Sequence, residues 1–533
     1  MISYRLAIGS FAACLLAAAP LAAQMPEPSP ERIAAWWGHI EEIASDANEG
    51  RGAGTPGYDR AADYVVAQFR KLGAQPAGTD GYFQRVDLVE QRFDQAASTA
   101  ILKRPSGDVA LATPQDLFFR GSAPMPASLE APLVFAGYGL SIPEAGHDDF
   151  AGIDVKGKVV VVLSGGPAEI SGALKSDARS GRAKLLAERG AVGMIAVTTP
   201  KQVEIRWERQ VGNTSLSSMF LADPALRDVS VPFMMATISP EKAALLFEGS
   251  AHSFEALSAL SDASAPVPAF DLPGRFAATI KATQKPLSSN NIIAVLPGSD
   301  PALASEHVVL SAHLDGYGIG APVNGDAIYN GAFDNAVGVA SMIEAAKAFA
   351  AAPQKPKRSI LFAIVTAEEK GLLGSRYFAS RPTVPAESIV ANINLDMPLP
   401  IFPLTTITPI GYEESTLGAH AQAVSAAMGL PIVPDPKPDR NVFIRSDQYS
   451  FIKQGIPALF PKYGFKVGTP EEKVEAAWRA NIYHSPQDDP LQPVMKAEGV
   501  KLTDYVIALT QRVADAPERP RWLETSYFRR FAK

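Results

Sequence analysis

The chain has 533 residues, 47% of them hydrophobic and 20% charged, with a formal net charge of −7. That length exceeds one ordinary core and predicts two domains, and the composition is globular rather than disordered or fibrous. Mild acidity excludes a basic nucleic-acid-binding surface and leaves other partner classes open.

Residues 1–23 read as a signal peptide. Arg5 supplies the positive start, 6–21 an apolar run, and Leu21-Ala22-Ala23 a small-residue cleavage site before Gln24. The predicted destination is the periplasm or the extracellular space. The single cysteine, Cys14, lies inside this leader, and the apolar run continues past it, which argues against lipid anchoring there. The mature chain then offers neither disulfides nor thiolate ligands. No later stretch reaches the ~20 uninterrupted apolar residues of a membrane-spanning helix.

Residues 31–72 read as helical, broken at 48–57 by a Gly-rich loop. Ala61, Ala62, Val65, Val66, Phe69 and Leu72 keep a helical period, and Gly73 stands where a C-terminal cap belongs. Across 109–273 the texture changes to short β-type runs, such as 133–135 and 159–163, between Gly/Pro loops, with one helix at 183–189. His147 and His252 stand apart from any ligand spacing there. The block therefore reads as a structural or substrate-shaping domain inserted between 24–108 and 274–533. From Asn290 onward strands and helices alternate, which predicts an α/β fold with a mixed, mostly parallel sheet flanked by helices. Every chemical motif follows a strand of this part or lies in a later loop, and open α/β sheets bind ligands at the carboxyl ends of their strands.

His313 ends the strand 308–312, and in an extended chain Asp315 points the same way, placed to fix the imidazole by hydrogen bonding. Asp334 opens a helix. It either caps that helix or bridges two cations ~3.5–4 Å apart with its two oxygens, and the company it keeps favours the bridge. The run Thr-Ala-Glu-Glu-Lys-Gly-Leu-Leu-Gly-Ser at 366–375 sets Glu368 and Glu369 at the end of the apolar strand 359–365. Paired acids there cost desolvation and repulsion unless cations compensate. Glu369 reads as a ligand and Glu368 as a general base that passes a proton from the attacking water to the leaving amine. Asp396 ends another apolar strand and joins His313 at the first ion; His484 joins Glu369 at the second. With Asp334 shared, each ion has three protein ligands and an open position, the shell of a catalytic zinc site. Tyr483 either donates its hydroxyl to the developing oxyanion or packs as a loop aromatic. Asp488 and Asp489 orient His484 or close a turn before Pro490. The sequence holds no phosphate loop, no Gly-x-Ser-x-Gly elbow, no His-Glu-x-x-His helix and no Gly-rich dinucleotide turn.

These segments, in this order, resemble the secreted di-zinc aminopeptidase family that also includes glutamate carboxypeptidase and the transferrin receptor. The Gly-Arg-Gly-Ala-Gly-Thr-Pro-Gly run at 50–57 is similar to that family's opening segment, and the stretches around Gly137-Tyr138-Gly139 and 154–159 to its inserted protease-associated (PA) domain. The resemblance implies an eight-stranded mixed sheet between helices and two zinc ions per chain. It assigns His313, Asp334, Glu369, Asp396 and His484 as ligands, Glu368 as base and Tyr483 as carbonyl-oxygen stabiliser. It implies removal of N-terminal residues from peptides. Two departures stand out. Many relatives have His at the positions of Gly316 and Gln448, and the changes are expected to reshape a cleft wall, to which the connection holding Asn324, Asp326 and Tyr329 could add. Other readings of the same motifs are a carboxypeptidase or dipeptidase, which needs a basic pocket near Arg440 or Arg445, a one-zinc glutaminyl cyclase, or a non-catalytic binding protein. Cobalt or manganese would also suit the ligand set.

Overall fold

The computed structural model describes residues 25–533, residue 204 excepted. The leader expected at 1–23, with Cys14, lies outside the described residues.

Among the described residues, nine strands form the first sheet. Its centre is parallel: His307–His313 pairs with both Ser359–Val365 and Ile389–Asn394, and the latter with Ala458–Tyr463. The flanking strands Ala282–Leu296, Phe83–Phe93 and Ile407–Ile410 pair antiparallel. The sheet is thus mixed, as expected, but parallel pairing is confined to its middle. The central strands are buried on both faces, as parallel strands must be. Val308 and Leu310 pack toward the helices Pro30–Ile43, Val337–Ala351 and Lys496–Asp515, while Val309 and Leu361 face Phe378 and Phe451 on the other side. Register matters most for the chemistry. His313 is level with Val365, and Ser311 with Asn394, so the chains carrying His313, Glu368 and Asp396 leave the sheet at one edge.

The helix Pro56–Lys71 starts under the Thr55 hydroxyl, which accepts from the Tyr58 amide at 3.3 Å, and is followed by Gly73 at φ 75°. The loop before it is held by Arg51, which no local pattern marks out. Its buried guanidinium donates to the carbonyls of Leu314 (2.7 Å), Ile43 (3.1 Å), Gly331 (2.9 Å) and Asn330.

A second sheet of eight strands, with its own apolar core, runs in chain position from Thr99–Lys103 to Ala269–Thr279. Its extent is wider than the expected 109–273. Thr99–Lys103 is a strand of this sheet because it pairs with Ala269–Thr279, a long-range choice that local pattern cannot reveal. One strand of the same stretch, Ser218–Leu221, crosses back and pairs with Phe83–Phe93 of the first sheet. The helix expected at 183–189 is the end of a longer one, Gly172–Glu188.

Candidate metal centre

His313 is fully buried at its strand end. Its Nε2 lies 3.2 Å from Asp334 Oδ1, 3.6 Å from Asp396 Oδ1 and 4.0 Å from Glu368 Oε2. On the other side of Asp334, His484 Nε2 lies 3.2 Å from Oδ2 and 3.7 Å from Glu369 Oε2. The two oxygens of Asp334 therefore face different imidazoles. Two groups result, His313–Asp334–Asp396 and Asp334–Glu369–His484, each with its donor atoms within 4.8 Å of one another.

The donors fit cations. His313 Nε2 and Asp396 Oδ1 are buried with no hydrogen-bond partner, and such orphans are rare unless something else satisfies them. Electrostatics agree. Burial, reinforced by Glu369, Asp396 and Asp447, pushes Glu368 well above the usual carboxylate range, and burial with Asp334 does the same to Glu369. Burial alone would depress His313, but Glu368, Asp334 and Asp396 outweigh it and raise it well above 6.5. Burial also opposes ionisation of Asp334, yet the two imidazoles overcome it and hold this carboxylate far below its ordinary value. Without cations the cluster must retain protons to tolerate itself. Imidazole and carboxylate together are a donor set that zinc accepts.

The surrounding contacts revise several expectations. The carboxylate of Asp315 does not hold the His313 ring. The strand ends at His313, so the chain turns, and it is the Asp315 backbone carbonyl that meets Nδ1, at 3.0 Å. The carboxylate instead accepts from the amides of Glu368 (3.0 Å) and Glu369 (3.3 Å), fixing the turn that presents both acids. Asp488 likewise does not bond His484. It accepts from the amides of Phe333 (3.0 Å) and Asp334 (2.9 Å) and from the side-chain amide of Gln492 (2.7 Å), and burial pushes it up to about 7. Asp489 accepts from the Leu491 amide at 2.6 Å, within its own turn. Asn335, not Asp334, caps the helix: its Oδ1 accepts from the Gly338 amide at 3.1 Å while its Nδ2 donates to the Leu395 carbonyl at 2.7 Å, tying two ligand segments together.

Tyr483 stacks on the His484 ring at 3.5 Å between centroids, and its carbonyl accepts from Arg209 of the second unit at 3.1 Å. The hydroxyl that meets His484 Nδ1 belongs to Tyr317, at 3.1 Å. Only its place two residues after Asp315 could have flagged it. Asp447, equally unforeseen, is buried near Glu368 with both oxygens lacking hydrogen-bond partners, and burial pushes it to about 7. Ala367, Met397 and His484 adopt positive φ of 50–54°. Strain of this kind collects at functional sites.

The two departures from the family pattern do not form a cleft wall. A Cβ on Gly316 would meet the Gly50 carbonyl at 2.8 Å, so this glycine permits the close approach of the Arg51 loop. Gln448 is fully buried, donating to the Val442 and Phe443 carbonyls and accepting from Asn394. Asn324 and Tyr329 do line a cavity of about 930 Å³, opposite Arg206 and Arg209 of the second unit.

Residues 291–510 match the sequence profile of Peptidase family M28. The chain is 30% identical over 172 residues to leupeptin-inactivating enzyme 1 of Streptomyces exfoliatus, which covers 31% of this chain; the chain spans about a third (34%) of that relative's length. It is 26% identical over 488 residues to the probable lipoprotein aminopeptidase LpqL of Mycobacterium tuberculosis, covering 87% of this chain and 79% of that one. The aminopeptidase from Aneurinibacillus sp. strain AM-1 shares the fold, with a TM-score of 0.53 at 19% identity over 92% of this chain and 95% of that one.

Proposed function

We propose that the chain is an exported aminopeptidase with two zinc ions, held by His313, Asp334 and Asp396 and by Asp334, Glu369 and His484. The reading rests on one observation above the others: the two oxygens of Asp334 each stand 3.2 Å from a different imidazole. Zinc bound there supplies Lewis acidity, polarising the scissile carbonyl and lowering the pKa of water toward ~7. The remaining work falls to the chain. Glu368 belongs to neither ligand group, and its raised affinity for a proton suits a carboxylate that accepts one from the attacking water and delivers it to the leaving amine. Tyr483 polarises the substrate carbonyl oxygen. Asp315 and Asp488 hold the backbones of the Glu368–Glu369 turn and of Asp334. The β-rich unit is the PA insert, which walls the approach.

The test is hydrolysis of unblocked aminoacyl p-nitroanilides beside N-acetylated ones, with bound zinc counted per chain. We expect turnover of the unblocked substrates only, two zinc ions, loss of activity on chelation, and a Glu368→Gln enzyme that keeps its zinc while kcat falls about 10²–10⁴-fold. Full activity in Glu368→Gln would remove the base from the mechanism.

A further inference from the structure

A second, small cavity of about 60 Å³ adjoins the ligand cluster. Met397, next in the chain to Asp396, forms part of its wall with Phe402 and Phe465, and the Lys462 ammonium reaches it while donating to the Asp396 carbonyl at 3.2 Å. Whatever enters the cavity is therefore held against a ligand segment.

The charges around it are unequal. Lys437 pairs with Glu472, and Arg440 and Arg479 converge on Glu475. Among the described residues no carboxylate forms an ion pair with the Lys462 ammonium within 4 Å; its direct contacts are one backbone carbonyl and the Phe460 ring, 4.5 Å from Nζ to the centroid, while Asp396, Asp334 and Glu475 act on it from farther off and Asp435 and Glu475 share the cavity wall. An ammonium has three donors, so two remain. A cation set among aromatic walls carries a desolvation cost that an anion at hydrogen-bond distance would offset. The volume suits a modest group. At ~10–15 Å³ per water-sized probe it holds about four to six such positions, the bulk of a carboxymethyl or carboxyethyl side chain.

We infer that this cavity receives a substrate carboxylate on Lys462, and that the carboxylate is the side chain of an N-terminal Asp or Glu. The inference rests on the aminopeptidase reading and adds a substrate class to it. Met397 and the two phenylalanines pack the methylene stem, and the carboxylate meets the Lys462 ammonium beside the Asp396 backbone. A glutamine of the same shape makes weaker, uncharged hydrogen bonds, so the preference is read by charge.

The test compares Glu-, Gln- and Leu-p-nitroanilide, together with N-acetylated dipeptides bearing a free C-terminus, on the full-length zinc-loaded enzyme. We expect kcat/KM for the Glu substrate to exceed that for Gln by about 10–100-fold, mostly through KM. Lys462→Met should bring that ratio close to one and Lys462→Arg should keep most of it; the ratio is insensitive to general loss of active protein. Free glutamate should raise the melting temperature of the wild type more than glutamine does, and not that of Lys462→Met. Cleavage of Gln and Leu substrates with no advantage for Glu would overturn the inference and leave the aminopeptidase reading standing. Hydrolysis confined to the N-acetylated dipeptides would overturn both, and would assign the carboxylate to the C-terminal end of the substrate.

Discussion

Replacing Asp315 with Asn separates two roles for this residue. Both carboxylate oxygens are engaged, one by the Glu368 amide at 3.0 Å and one by the Glu369 amide at 3.3 Å, and the side chain is fully buried. Asparagine keeps the shape and one acceptor but turns an NH₂ toward the second amide. One charge-assisted hydrogen bond is lost and one donor is orphaned, a cost of about 1.5–3 kcal/mol. If that cost falls on the position of Glu368, kcat/KM drops about 10–100-fold, since each ~1.4 kcal/mol is tenfold. The His313 ring should be little affected, because its Nδ1 bonds the Asp315 carbonyl, whereas the carboxylate lies 3.9 Å away. The assay is kcat/KM at saturating zinc, beside zinc content and melting temperature. Unchanged turnover and stability would refute the anchoring role. Loss of zinc with normal turnover once zinc is restored would show instead that the carboxylate acts through the imidazole.

Tyr317→Phe keeps the ring against His484 but removes the hydroxyl from Nδ1; zinc affinity, measured by competition with a chromophoric chelator, should fall about 10–100-fold. In the metal-free protein His313, Glu368 and Glu369 all have raised pKa values. Each holds a proton in the folded state that the unfolded chain has released, so their contribution to stability declines as pH rises above about 4.5 for the two glutamates and above about 6.5 for His313; melting curves in chelator should show that slope and zinc should flatten it. Gly316→His must displace the Arg51 loop, because the Cβ alone would meet the Gly50 carbonyl at 2.8 Å; we expect a loss of about 2 kcal/mol or more by chemical denaturation.

The strands that deliver the expected ligands were legible because their apolar runs, 308–312, 359–365 and 389–395, are buried on both faces and end in polar residues. That a strand ends in such a residue is local information. What reaches across the chain was not legible. Arg51 gathers carbonyls from three segments, and no local pattern marks a guanidinium for that task. Phe83–Phe93 carries alternating burial at Val86 and Leu88, yet six of its eleven residues are charged or amide-bearing and its partner Ala282–Leu296 lies about two hundred residues away. Asp315 was misread for a geometric reason: alternation was extended past the last strand residue, where the backbone had already turned. The edges of the second unit failed for the reason that any strand pattern suits either sheet.

The second unit also does more than stand beside the cleft. Its strand Ser218–Leu221 is zipped to Phe83–Phe93 of the first sheet, and Arg209, a few residues earlier, donates to the carbonyls of Ala480 and Tyr483 at 3.0 and 3.1 Å. Those carbonyls belong to the end of the helix Pro470–Asn481 and to the loop after it, which carries His484. Ser122 reaches the Lys370 carbonyl, beside Glu369, and Asp177 accepts from the hydroxyls of Tyr449 and Tyr527. Two of the three donors of one candidate ligand group, Glu369 and His484, therefore lie next to backbone that the second unit holds, whereas no such contact reaches His313 and Asp396 among the hydrogen bonds described above. A change in how the two units sit together would act unequally on the two groups, and first on the one built around His484.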